Sequence, residues 1–124
     1  VAPTSAPGAG TDLVRVADFA DDAAAFGHYS KHVKGIELRP NGSYRLKPGG
    51  ADLPEFGSFA EYRGAARTFL GADPPPGVLQ GYRGTDLLRV DPKTGYFGVR
   101  SESGTIRTFF RPDGDPVDYF WGQF

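Results

Sequence analysis

From Gly77 onward apolar residues recur with a period of two, and turn sequences cut the alternation at short intervals. Thr85 to Val90, Tyr96 to Arg100, Thr105 to Arg111 and Val117 to Trp121 read as four strands. Asp91-Pro92-Lys93-Thr94-Gly95, Ser101-Glu102-Ser103-Gly104 and Pro112-Asp113-Gly114 join them. Links this short force neighbouring strands to run antiparallel, so a meander is expected. Eighteen glycines and eleven prolines in 124 residues suit a chain of many turns and short elements.

Upstream the period lengthens. Ser58-Phe59-Ala60-Glu61 is a capping box, and Phe59, Tyr62, Ala66 and Phe69 then recur at helical spacing. That helix is expected to stop at Gly71, before Asp73-Pro74-Pro75-Pro76-Gly77. Asp18 to about Val33 reads as an alanine-rich helix. Asp18, Asp21 and Asp22 lie in its first turns, and Lys31, His32 and Lys34 at its far end, as the helix dipole favours. Residues 36–57 read as loop, with Arg39-Pro40-Asn41-Gly42 and Lys47-Pro48-Gly49-Gly50 as turns and a short extended piece around Ser43-Tyr44-Arg45-Leu46.

The expected fold class is α+β, with two N-terminal helices packed on a four-stranded antiparallel β-meander. It occupies one domain over residues 13–124, and residues 1–12 read as a flexible linker. A chain of this length buries about two-thirds of its unfolded surface in one core. There is no cysteine, so neither disulfides nor thiolates enter. No apolar run approaches ~18 residues, so no transmembrane helix is expected.

The formal net charge of −1 is unevenly spread. Bases outnumber acids over 28–47 and again over 83–111, while the stretches around them are acidic. If the two basic blocks face each other they form a positive groove suited to a polyanion. Scattered, solvated surface charge is the competing reading.

Both histidines fall in Phe26-Gly27-His28-Tyr29-Ser30-Lys31-His32-Val33-Lys34. Four residues apart, they share one face of a helix. Phe19, Ala23, Phe26, Ser30 and Val33 form a stripe centred on Phe26, which leaves both imidazoles on the opposite side, toward water or a cleft. In the middle hairpin, a turn at Glu102-Ser103 pairs Val99 with Ile106 and Gly98 with Arg107. Phe97, Val99, Ile106, Thr108 and Phe110 then share a core face. Tyr96, Arg100, Arg107, Phe109 and Arg111 share the other, a mixture of arginines and aromatics found on nucleic-acid-binding sheets and on ordinary solvated faces alike. Arg107 and Thr108 point to opposite sides unless the site lies at a sheet edge or a bulge intervenes.

Two histidines, a lysine, arginines and hydroxyls suit acid–base cleavage of RNA, which carries its own nucleophile. An enzyme need only take the 2′-OH proton, stabilise the phosphorane and protonate the leaving 5′-oxygen, which yields a 2′,3′-cyclic phosphate. His32 or His28 is the candidate base or acid, Lys31 and Arg107 supply charge, and Thr108 or Tyr119 a hydrogen bond. Lys34, Arg83, Arg100, Arg111 and Phe109 are candidate substrate contacts. His-x-x-x-His can ligate zinc, with Asp52 or Glu37 as acidic ligands, but there is no His-Glu-x-x-His, third histidine or thiolate, so metal ranks well behind and neither metal nor cofactor is expected.

These residues also resemble a family. His28-Tyr29-Ser30-Lys31-His32, Phe59-x-x-Tyr62-x-x-x-Ala66-x-x-Phe69-Leu70 and Asp86-x-Leu88-x-Val90-Asp91-Pro92-x-Thr94-Gly95-x-Phe97-Gly98-Val99 occur in order. Gly104-Thr105-Ile106-Arg107-Thr108-Phe109-Phe110-Arg111-Pro112 and Asp118-Tyr119-Phe120 follow. Together they resemble C-terminal toxin domains of bacterial polymorphic and contact-dependent inhibition systems, grouped with colicin D in the barnase-like nuclease fold. The resemblance implies a metal-independent ribonuclease toxin directed at transfer RNA, with a cognate immunity protein plugging its active site. It implies a monomer, secreted or delivered by a larger toxin, that acts in the target-cell cytoplasm. The family's Lys-His element falls on Lys31 and His32, its strand hydroxyl on Thr108 and its terminal aromatics on Tyr119 and Phe120. Two other readings stand beside it: a non-catalytic RNA- or protein-binding module, and an ADP-ribosyltransferase. For the latter, Tyr82-Arg83-Gly84-Thr85 is similar to the arginine strand, but no Glu-x-Glu or Gln-x-Glu follows near the end.

Overall fold

The computed structural model describes residues 16–124, and the linker expected over 1–12 lies outside them. Helix α1 (Asp22–His32) leads into a hairpin of β1 (Ile36–Leu38) and β2 (Tyr44–Leu46), then helix α2 (Phe59–Phe69). Strands β3 (Leu79–Arg83), β4 (Asp86–Val90), β5 (Phe97–Arg100) and β6 (Ile106–Phe110) follow, then helix α3 (Pro116–Gly122). The four strands form an antiparallel sheet in the order β3-β4-β5-β6, which is the expected meander within an α+β fold. Among the described residues no helix is long and apolar enough to cross a membrane.

The arrangement of the helices differs from expectation, and each difference has a local cause. Val117 to Trp121 is helical rather than extended, because Asp115 caps the turn: its Oδ1 accepts from the amides of Val117 at 2.8 Å and Asp118 at 3.2 Å, with Pro116 at the first position. The fourth strand is instead β3, joined to β4 by a two-residue turn at Gly84, whose φ of 63° suits a residue without Cβ. The first helix begins at Asp22, not Asp18. Asp21 is its N-cap, while the Asp18 backbone pairs with Gly104 and Ile106 beyond the end of the sheet. The loop expected over 36–57 contains a real hairpin, with Leu38 opposite Tyr44 and Ile36 opposite Leu46. The capping box of α2 forms as read: Ser58 Oγ accepts from the Glu61 amide at 3.1 Å, and Glu61 reaches back to the amide of Gly57.

Both faces of the sheet are covered. Ile106 and Phe109 pack under α1 and α2 with Ala25, Tyr29, Tyr62, Ala66 and Phe69. Leu88, Val90, Phe97 and Val99 pack under Phe120 of α3. The register of the middle hairpin decides which residue goes where. Val99 lies opposite Thr108 and Gly98 opposite Phe109, two residues away from the expected pairing, and a bulge at Arg107 separates these pairs from Arg100–Ile106. The extra residue moves Ile106 to the helix-covered face. Arg107 is left on the other face, where its Nε lies 3.0 Å from Asp86 Oδ2. The aromatic–arginine face expected to meet solvent is an interior because α1 and α2 pack on it: Phe109 and Arg100 are buried there.

Arg89 is buried on this side as well. It donates to the carbonyls of Phe69, Gly71 and Ala72, which closes the C-terminus of α2, and to Gln80 on β3. Next to it Gly98 has no room for a side chain: a Cβ would lie 2.8 Å from Leu70 Cδ1. Gly98→Ala is expected to cost about 1–3 kcal/mol in urea unfolding. Adding Leu70→Ala should recover part of that loss, and a strictly additive double mutant would contradict the contact.

Candidate active site

The candidate site is assembled around Asp52, which the sequence offers only as a possible metal ligand and not as a partner of His32. Asp52 follows the Lys47-Pro48-Gly49-Gly50 turn, and its Oδ1 receives His32 Nδ1 at 2.9 Å and Lys47 Nζ at 2.9 Å. Its Oδ2 receives the Arg111 amide at 2.8 Å, and Arg111 Nη1 reaches the Asp52 carbonyl at 2.7 Å. One side chain thus ties together the end of α1, the loop after β2 and the end of β6. Burial works to raise the Asp52 carboxyl, but the hydrogen bonds from His32, the Arg111 amide and Lys47 outweigh it and hold the group at about 2.

The histidines do share a face of α1, but that face is not open to water. His32 is 5% exposed, and its ring stacks on Phe110 of β6 at 5.4 Å. His28 stacks on His32 at 5.8 Å and lies tilted against Phe19 at 5.4 Å. Phe26, the expected centre of the buried stripe, is instead 52% exposed, and Ala25, Tyr29 and His32 point inward. The helix offers two candidate inner faces of similar apolarity. A carboxylate from another segment decides between them by compensating the buried imidazole.

His28 has no such partner, since its Nδ1 is buried without a hydrogen bond. Burial first, then the neighbouring His32 and Lys31, push its imidazole down to about 4. The ring is therefore neutral at pH 7.

The bulge resolves the strand geometry. Thr108 lies opposite Val99 on the α3-covered face, the face that also carries Phe110, and Arg107 reaches Asp86 from the same side. Thr108 precedes Phe110 by two residues, about 7 Å along the strand, and His32 stacks on Phe110. Tyr119 of α3 completes the border, with its ring 5.8 Å from Phe110 and 5.0 Å from Phe97. His32 and Tyr119 thus both meet Phe110 at the C-terminal end of β6, and Thr108 and Arg107 lie further back along the same strand.

The remaining candidates lie elsewhere. Lys31 turns toward the hairpin, 3.7 Å from Glu37, and Lys34 is exposed just past α1. Arg83 sits on β3, the opposite edge of the sheet, hydrogen-bonded to Gln123. Arg100 and Phe109 are interior residues. Arg111 is a structural clamp, bound to Glu55, Thr94 and Asp52 and lying over the Tyr96 ring. A solvated sheet face was expected for these three; Phe109 and Arg100 keep that face, but α1 and α2 pack over it. The pairing of Asp52 with His32 and Lys47 is not legible in the sequence, because twenty residues separate Asp52 from His32 and no spacing rule connects them.

Chemically, an Nδ1–H donated to Asp52 fixes the tautomer of His32 and leaves Nε2 as the unprotonated nitrogen of the neutral ring. Among the described residues no group of three or more His, Asp or Glu side chains is placed to hold a metal ion. No protein-family model matches the chain, and no curated protein matches it either.

Two solution measurements follow from this geometry. Because the folded-state pKa of His28 lies below its unfolded value of 6.5, its contribution to stability is complete above pH 6.5 and lost as pH falls through about 4. Full linkage over that interval is about 3 kcal/mol, and partial solvent contact reduces it to about 2. His28→Phe is expected to flatten the stability profile between pH 6.5 and 4 in denaturant titrations; an unchanged slope would contradict a buried neutral ring. Asp52→Ala leaves His32, Lys47 and the Arg111 amide without their acceptor and should lower unfolding free energy at pH 7 by about 3 kcal/mol.

Proposed function

We propose that the chain is a metal-independent endoribonuclease of the toxin type, cleaving RNA, with transfer RNA as the expected target. The observation that carries this reading is the Asp52–His32 pair, with an oriented imidazole at the strand that holds Thr108 and Arg107. His32 Nε2 takes the proton of a 2′-OH, Asp52 stabilises the imidazolium, and the new 2′-O–P bond forms as the P–O5′ bond breaks. The imidazolium then gives its proton to the leaving 5′-oxygen, which leaves a 2′,3′-cyclic phosphate and a 5′-hydroxyl. Arg107, Thr108 and Tyr119 border the phosphate, and cationic and hydroxyl donors there match the charge that develops on the phosphorane.

The resemblance to C-terminal toxin domains of the colicin D and barnase-like class supports the same reading. It carries with it a cognate immunity protein as partner, delivery by a larger toxin and action in the target-cell cytoplasm. The binding-module alternative loses the surface that suggested it, since Phe109 and Arg100 are buried.

Digestion of total transfer RNA in EDTA is expected to give fragments ending in 2′,3′-cyclic phosphate. His32→Ala should slow cleavage by about a hundred- to ten-thousand-fold. Equal cleavage by parent and variant would remove His32 from the mechanism, and intact RNA after digestion with the folded parent would remove the activity.

A further inference from the structure

Helix α1 carries two adjacent ridges. His28 and His32 face the sheet, and Gly27 and Lys31, likewise four residues apart, face the β1–β2 hairpin. Between Gly27 and the hairpin lies a cleft of about 510 Å³, lined by Gly27, Lys31, Glu37, Leu38, Arg39 and Arg45 among others. Its volume falls in the range of small-ligand sites, about 300–1,000 Å³.

The charges in the cleft do not cancel. Glu37 is its one acid, held by Arg45 through Nε and Nη2, each at 2.9 Å, with Lys31 at 3.7 Å. Against this single negative charge stand Lys31, Arg39 and Arg45, an excess of two positive charges. Leu38 and Pro40 add apolar wall, and Leu38 is 64% exposed. A dianionic phosphate beside a flat, partly apolar body matches this lining. The Glu37 carboxylate is an acceptor for ring or exocyclic N–H groups.

The floor of the cleft is Gly27. A Cβ there would meet nothing within 4 Å, so a helix interior carries a glycine where alanine would fit. That choice costs about 1 kcal/mol of helix stability and leaves the helix side of the cleft without a side chain at this position.

We infer that the cleft between α1 and the β1–β2 hairpin binds a nucleoside phosphate, with Lys31 and Arg39 on the phosphate and Leu38 against the base. The assignment goes beyond the cleavage reading and does not depend on it. The phosphate belongs to a free mononucleotide or to a nucleotide within an RNA chain.

The test is a titration of the parent 124-residue chain, followed by amide chemical shifts. One arm uses 5′-AMP and 5′-GMP, a second a short 2′-O-methyl oligoribonucleotide that has no 2′-OH to attack, and adenosine and inorganic phosphate serve as controls. Saturable shifts at Gly27, Leu38 and Arg39 with a nucleotide arm, and weaker ones with either control, are the expected result. Saturation by the mononucleotides identifies a free ligand, and saturation by the oligonucleotide alone identifies the RNA chain. Gly27→Leu fills the cleft without touching the core, and it should weaken binding at least about tenfold with the fold retained. Arg39→Glu should do the same. Absence of saturable shifts in both nucleotide arms, or undiminished binding by folded Gly27→Leu, would overturn the inference. Cleavage of transfer RNA by the parent without binding in the cleft would leave the nuclease reading intact while removing this one.

Discussion

The carboxylate of Asp52 is the tie on which the arrangement of the other parts depends. Three segments far apart in sequence end at it: His32 from α1, Lys47 from the hairpin side and the Arg111 amide from the end of β6. Backbone bonds run beside these contacts, from Leu53 to the His32 carbonyl and from Lys47 to the Gly35 carbonyl. Leu53, immediately after the aspartate, is fully buried in the principal core. A charge taken this far from water persists only when its acceptor sites are filled, and here each oxygen has a donor. The same bonds that compensate Asp52 also select the rotation of α1 and the orientation of the His32 ring.

What could be read in advance followed from local chemistry. The capping box at Ser58, the stop at Gly71 and three of the four large-sheet strands depend on neighbours within a few residues, and all appear. The third helix was missed because the strand pattern of Val117 to Trp121 competed with an equally local cap at Asp115, and the cap prevails. The rotation of α1 was not legible. Its apolar residues permit two inner faces, and the deciding group lies twenty residues downstream. The register of β5 and β6 failed for a related reason: alternation is preserved by a two-residue slip, so the pattern alone does not distinguish the two pairings.

The candidate residues divided along the same line. Tyr119 meets Phe110, on which His32 stacks, and Thr108 shares that strand, whereas Lys31, adjacent to His32, turns to the hairpin and those chosen for charge alone dispersed. Arg83 stands on the far edge, and Arg111 donates to a backbone carbonyl inside the fold, as does Arg89, which was not among the candidates. In this chain several arginines are fasteners, which explains how basic blocks in the sequence coexist with a modest local excess of positive charge at the surface.

The irregularity at Arg107 has a bearing on how such a chain can change over time. One supernumerary residue in β6 sets which side of the pleat every later residue occupies, so a single-codon insertion or deletion between Ile106 and Phe110 would exchange interior and exterior for the whole strand end. The neighbouring turn around Glu102 and Ser103 is exposed and imposes no such parity. Length variation among descendants of this sequence should therefore accumulate in the turn and be purged from the strand beside it.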